Sequence, residues 1–517
     1  MDHVITEPDI VAFLETPDVW GSGVSNVDVI ETHISRVFMA GNRVLKLKRR
    51  VKFPYLDFSL IEQRKLNCLA EVTINKRTAP DLYKGVIPIT MESSGTLALN
   101  GDGQVVDWLV EMARFDQDTL FDRLAREGRL TRLTMMKTAD IISDFHDMAE
   151  VITGWSGADG IRRTLALNAN SFSRSCPDVF TRESLTHLNS KFDQRMDDVK
   201  SVLNQRSSAG LIRHCHGDLH LRNLCLFNDQ PTLFDAIEFN DEFSHIDILY
   251  DLAFLLMDLD YEGHGEFANM VMNRYFDTSA RSRIDPGNFQ VLPLFLSIRS
   301  AVRSHVDAAQ ALTLDDPDLC EKRALAAKRY FEMADNYLDT KSPRLIAVGG
   351  LSGSGKSVFA QRLAPVISSA PGARVVRTDV IRKNLAGQSL HSRLTESGYT
   401  PEMNKRTYDE FYAEIRKCLN EGQTVIADAV FSRPSERDRI KSISEELSLP
   451  FGGLWLETPK EVLKERVASR KNDASDAGIA VVEQQSKYDL GHISWIKLDS
   501  SKSCEQTLKI GKGILGV

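Results

Sequence analysis

The feature that most restricts this chain is the octapeptide Gly350-Leu351-Ser352-Gly353-Ser354-Gly355-Lys356-Ser357, which satisfies G-x-x-x-x-G-K-[ST] at every fixed position. Apolar residues 345–348 run straight into it, and residues 358–363 continue with a helical pattern. Strand, glycine-rich turn and helix in that order form a phosphate cradle. The glycines let backbone N–H groups wrap phosphate oxygens, and the helix N-terminus adds a favourable partial charge. Lys356 is then placed to reach the β- and γ-phosphates, and the Ser357 hydroxyl to ligate magnesium. The pattern demands an α/β domain on a mostly parallel sheet. Its start lies near Pro343, because the helical pattern of residues 318–338 must end before that proline.

Further along, a second strand at 374–377 delivers Thr378-Asp379 and Arg382 at its carboxyl end, where open parallel sheets bind their ligands. Asp379 is a candidate acceptor for the proton of a substrate hydroxyl, and Arg382 a candidate grip on an anionic substrate group. A third strand at 424–427 ends in Asp428, a candidate magnesium carboxylate; as an alternative, both aspartates serve as caps. Thr458 and Pro459 predict the N-cap and first position of a helix that presents Arg466 and Arg470 on one face. The pair suits a lid over a transferred phosphate, or else an ordinary solvated face. From 344 to about 500 the chain resembles the P-loop small-molecule kinases of the gluconate-kinase and zeta-toxin-like kind.

A second constellation lies upstream. His214-Cys-His216-Gly217-Asp218-Leu-His220-Leu-Arg-Asn223 contains H-x-D-L-x-x-x-N. At that spacing an aspartate can take the proton of an attacking hydroxyl, and an asparagine five residues later can return to a magnesium ion. Asp235 follows the turn at 228–231 as a second metal carboxylate. The competing reading is a histidine metal site, but no cysteine stands at zinc-like spacing. The motif resembles the aminoglycoside-phosphotransferase-like family of the protein-kinase-like fold. That resemblance implies Asp218 as catalytic base, Asn223 and Asp235 as magnesium ligands, and Asp251 as a supporting aspartate. It also implies a small lobe with a strand lysine and a helix glutamate. Lys46 is the first choice and Lys48, on the same strand face, the next; Glu71 is the preferred partner and Glu62 the alternative. Two departures stand out: Ala236 replaces the usual glycine after the metal aspartate, and Gly217 the arginine of regulated protein kinases.

The expected fold is therefore an α+β protein-kinase-like (aminoglycoside phosphotransferase) domain followed by an α/β P-loop domain. Its parts are a strand-rich lobe at 1–105, a helical lobe at 106–340 and the P-loop domain at 341–517. Within 517 residues, 42% hydrophobic and 26% charged, nothing suggests disorder, and no apolar run is long enough to span a bilayer. Seven scattered cysteines, none as C-x-x-C, and an N-terminus without a signal-peptide pattern imply a cytoplasmic protein. The net charge of −8 is uneven. Residues 341–517 hold 27 basic and 21 acidic side chains, leaving 37 and 51 to the first 340. The acidic part argues against a nucleic-acid partner, and the expected substrates are small hydroxylated molecules. The leading expectation is an ATP- and magnesium-dependent phosphotransferase with two nucleotide sites. The alternative makes the first part a non-catalytic regulatory or binding module for a P-loop kinase acting on small molecules or polynucleotides.

Overall fold

The computed structural model describes residues 5–53, 56–279, 281, 284–339, 341–390, 392–469 and 478–517. It divides into two compact units, Met1–Gly160 with Gly210–Leu255, and Ile161–Ala209 with Leu256–Val517.

The first unit is built on a six-stranded antiparallel sheet in the order Asp28–Glu31, Ser35–Ala40, Arg43–Lys48, Gln104–Ala113, Tyr83–Met91, Leu97–Leu99. Alternation along Arg43–Lys48 decides what each face carries. Leu45 and Leu47 turn to a core with Ile10, Leu14, Phe38 and Leu109. Val44 turns to the opposite face, against Cys68 and Val72 of the helix Ile61–Asn75. Lys46 and Lys48, in phase with Val44, therefore point at that helix. Further on, the strand Ile212–His214 pairs with His245–Asp247, and the hairpin Leu224–Phe227/Gln230–Leu233 turns through Asn228 and Asp229, both left-handed.

The second unit contains a five-stranded, fully parallel sheet ordered Arg374–Arg377, Val425–Asp428, Leu345–Gly349, Phe451–Glu457, Ile496–Asp499. Leu345–Gly349 is central and wholly buried, as its apolar sequence requires. The helix after Thr458-Pro459 runs Lys460–Ser469, one residue later than the sequence implies. Thr458 Oγ1 pairs with Ser500 Oγ at 2.5 Å instead.

The sheet edge at Arg374–Arg377 is covered by the helix Gly265–Thr278. Asn269 Nδ2 donates to the carbonyls of Pro371 and Ala373, at 2.9 and 3.0 Å. The Val375 N–H donates to Asn273 Oδ1 at 2.8 Å, and Arg374 pairs with Asp277 at 2.6 Å. Side chains thus satisfy backbone groups that an edge strand leaves open. Asn273→Ala is expected to lower the local opening free energy of the 373–377 segment by about 1–3 kcal/mol, the cost of an unpaired buried amide. Hydrogen exchange of the peptide spanning Val375 checks this; unchanged protection there would contradict it.

Candidate functional site: two phosphate-handling constellations

In the first unit a strand lysine, a helix glutamate and a loop aspartate meet. Lys46 Nζ lies 2.8 Å from Glu71 Oε1 and 2.6 Å from Asp235 Oδ1. Glu71 is wholly buried beside Lys46, whereas Glu62 is an exposed residue of the first turn of the same helix. Its second oxygen takes Lys48 Nζ at 2.7 Å, and Lys48 also bonds Glu238. Burial would raise the Glu71 carboxyl, but Lys46 and Lys48 outweigh it and hold it down to about 2. Burial works against the charge on Lys46 too, yet Asp235 and Glu71 raise it well above the ordinary lysine value. Glu238, unlike Glu71, is moved upward by burial, despite Lys48.

The end of the helix Ile61–Asn75 fastens the segments that carry Asp218 and Asp235. Arg77 donates to the carbonyls of His214 and Cys215, Thr78 Oγ1 to that of Leu233, and Asn75 Oδ1 accepts the Ala236 N–H at 2.9 Å. Asp235 itself adopts φ 61°, whereas Ala236 does not take a positive φ. The left-handed residue is thus the aspartate, which tolerates it better than most, and the following position needs no glycine. Gly217 is required: φ is 84°, and a Cβ there would lie 2.7 Å from the Phe243 carbonyl oxygen.

Asp251, wholly buried, accepts the N–H groups of His216 and Gly217 at 3.0 and 2.9 Å and so fixes the start of the loop. Asn223 Nδ2 donates to Asp218 Oδ2 at 2.9 Å, and its carbonyl oxygen accepts the Phe234 N–H, tying the loop to the segment that carries Asp235. The histidines do not converge as a metal cage would. His214 packs edge-on against His245, and His216 Nε2 meets the Phe234 carbonyl. His220 Nδ1 accepts the Arg222 N–H, which leaves Nε2–H facing Asp218 Oδ2 at 3.3 Å. This contact escapes the spacing argument, since it depends on how the loop closes.

In the second unit the octapeptide leaves the central strand and enters the helix Lys356–Leu363. Leu351 packs against Leu463, Val467 and Val482. A Cβ on Gly353 would fall 2.6 Å from the Leu463 carbonyl oxygen, so the loop and the helix Lys460–Ser469 approach too closely for any other residue. Lys356 Nζ donates to the Leu351 carbonyl at 3.1 Å. Two braces lie outside the motif. Gln485 Oε1 accepts the Ser352 N–H at 2.8 Å, and Ser500 Oγ donates to the Ser354 carbonyl at 2.9 Å. Arg466 Nη1 stands 3.9 Å from the place of a Cβ on Gly355, at the loop; Arg470 lies outside the described residues.

Asp428 ends its strand in register with Val348 and Arg377, and its Oδ2 lies 3.3 Å from Arg377 Nε. Asp379 sits in the first turn of the helix Thr378–Leu385. Arg382, buried on that helix, donates to the Gly398 carbonyl and to Asn404 Oδ1 and stacks over Tyr399. It therefore braces the neighbouring segment through Nη1, and its Nε is buried without a hydrogen-bond partner.

The residues suit magnesium and a polyphosphate. In the first unit the two residues expected to hold magnesium, Asp235 and Asn223, both offer oxygen donors, the kind preferred by a hard divalent cation. In the second, Ser354 Oγ is buried without a partner beside the glycine turn.

Residues 157–286 match the phosphotransferase enzyme family, and residues 345–488 match an AAA domain. The uncharacterized protein Rv2004c of Mycobacterium tuberculosis is 24% identical over 477 residues, 90% of this chain and 91% of that protein. An adenylyl-sulfate kinase of Myxococcus xanthus is 28% identical over 114 residues, 22% of this chain and 57% of that one. Among solved structures, a choline/ethanolamine kinase family protein from Mesorhizobium loti covers 64% of this chain and 98% of its own, at 12% identity and TM-score 0.37. A gluconokinase from Sinorhizobium meliloti covers 34% and 93%, at 21% identity and TM-score 0.24.

Among the described residues no helix is long and apolar enough to cross a membrane. The buried carboxylate between two lysines predicts an acid response. An acid whose folded pKa lies below its unfolded one contributes stability above the unfolded value, and that stability is lost as pH falls through the folded one. Relative to Glu71→Gln, the wild-type chain should lose on the order of 3 kcal/mol between about pH 4.5 and about pH 2. Urea midpoints across that range measure it, and parallel pH profiles for the two proteins would contradict it. By its family matches and its fold, the chain joins a segment of the phosphotransferase enzyme family to a C-terminal AAA-type P-loop domain.

Proposed function

We propose that this protein is an ATP- and magnesium-dependent phosphotransferase with two nucleotide sites, each serving a small hydroxylated acceptor. The observation that carries the reading is the ion-paired chain Glu71–Lys46–Asp235, assembled from positions 25 and 189 residues from the lysine. One lysine and two carboxylates brought together from such distances, with the Asp235 segment tied through Phe234 to an asparagine that hydrogen-bonds Asp218, suit a kinase site better than a structural strut.

In the first unit Asp218 is the base that receives the acceptor's hydroxyl proton. His220 and Asn223 orient its carboxylate, and Asn223 and Asp235 would hold magnesium. Lys46, kept in place by Glu71, would contact the nucleotide phosphates. In the second unit the backbone of Gly350 to Ser357 and Lys356 would bind the β- and γ-phosphates, with Ser357 and Asp428 as the magnesium side. Asp428 has its Arg377 partner to share in that role. Asp379 is the base there, Arg466 and Arg470 the lid, and Arg382 shapes the acceptor side. When bound, the metal neutralises phosphate charge; the protein groups orient the alcohol and take its proton.

Two sequence features favour the non-catalytic alternative, Ala236 and the lack of a full G-x-G-x-x-G in the small lobe; of these, the backbone at Ala236 makes no demand for glycine. Asp218→Asn and Lys356→Ala, made separately in the full chain, are expected to remove different parts of the ATP-dependent phosphorylation seen in a metabolite screen. Each should fall by about 10²-fold or more, as for removal of a general base or a phosphate anchor. Full activity in the double variant would overturn the proposal.

A further inference from the structure

The first unit contains one more buried ion pair than a lysine–glutamate contact requires. Glu71 divides its carboxylate between two unequal lysines. Oε1 takes Lys46, whose side chain is 14% exposed and also reaches Asp235. Oε2 takes Lys48, which is 1% exposed, bonds Glu238 and stands 5.0 Å from the centre of the Phe58 ring. One lysine can thus meet a ligand from solvent and the other cannot.

The difference has a chemical consequence. Glu71 and Asp235 take two of the three N–H donors of Lys46, so an ammonium that grips a phosphate with more than one of them must give up its bond to Asp235. Were Lys46 the sole partner of Glu71, a wholly buried carboxylate would compete with the phosphate for the same three N–H donors, because leaving it unpaired is strongly unfavourable. Lys48 removes that competition by holding Glu71 from the sealed side. Lys48 needs a second counter-charge to stay there, and Glu238, three residues beyond Asp235 on the same segment, supplies it. The two lysines face three carboxylates, Glu71, Glu238 and Asp235. The surplus negative charge falls at the open, Asp235 end.

We propose that Lys48 and Glu238 are positioning residues, a buried pair that anchors Glu71 so that Lys46 is released from Asp235 to a nucleotide phosphate. This rests on the kinase reading above. Neither residue touches the ligand. Their effect passes through Lys46 and therefore concerns phosphates and not the nucleoside.

Calorimetric titration of the full chain carrying Lys356→Ala, with magnesium AMP-PNP and separately with adenosine, tests the pair. Adding Lys48→Met should weaken AMP-PNP binding roughly tenfold to a hundredfold while changing adenosine binding by less than about twofold, in the range of supporting residues around a charged site. Glu238→Gln, close to isosteric, should shift AMP-PNP in the same direction and keeps the test alive if Lys48→Met fails to fold. Unchanged AMP-PNP affinity in the variants, or equal loss for both ligands, overturns the proposal in favour of a merely structural pair. No AMP-PNP binding in the Lys356→Ala protein itself would instead overturn the nucleotide site on which the pair depends.

Discussion

A carboxylate with no access to water dictates the arrangement of the first unit. Glu71 cannot remain charged in the interior unless cations reach both of its oxygens, and both come from one strand, two residues apart. That condition fixes the register of Arg43–Lys48 against the helix Ile61–Asn75. It also draws in the Asp235–Glu238 segment, since each lysine retains an acid there. Strand, helix and loop are held by mutual neutralisation. Displacing any one strands a buried charge on the other two, and the geometry is specified more sharply than apolar packing alone would specify it.

The second unit meets a related need with backbone and packing. Its candidate phosphate-binding groups are main-chain amides of a turn whose glycines press against Leu463 and Leu456. Rigidity there comes from close approach and from two neutral braces, Gln485 and Ser500. The contrast follows from the parent structures. An antiparallel sheet presents side chains at a chosen face, whereas a parallel strand running into a helix presents N–H groups at its end.

This contrast also explains what could be read along the chain. The octapeptide and the segment from His216 to Asn223 were legible because their chemistry is local and its spacing is itself the requirement. The strands around Lys46, the helix carrying Glu71 and the strand that starts at Leu345 followed from periodicity and proline placement. The choice between Lys46 and Lys48 did not, because residues two apart on a strand share a face; only burial and the Asp235 contact separate them. His220, Glu238 and Gln485 carry no local signal, as each acquires a partner only when distant segments meet. Arg382 shows the reverse case. Its position after a strand end suggested a ligand-facing guanidinium, and the fold turns its Nη1 toward both the Gly398 carbonyl and Asn404 Oδ1.

The asparagines of Gly265–Thr278 extend the same logic to the border of the parallel sheet. An outer strand of such a sheet is normally guarded by charge or by a covering element. Here the guard is specific: Asn269 and Asn273 reproduce the alternating acceptor and donor pattern of a neighbouring strand along residues 371–375. Asp277 then neutralises Arg374, a buried arginine in the strand itself. A helix that imitates a strand through its side chains closes residues 371–375, at this edge of the sheet, to pairing with another strand. The strand that leads to Asp379 therefore has its position fixed on both sides, by Val425–Asp428 through main-chain bonds and by this helix through amides.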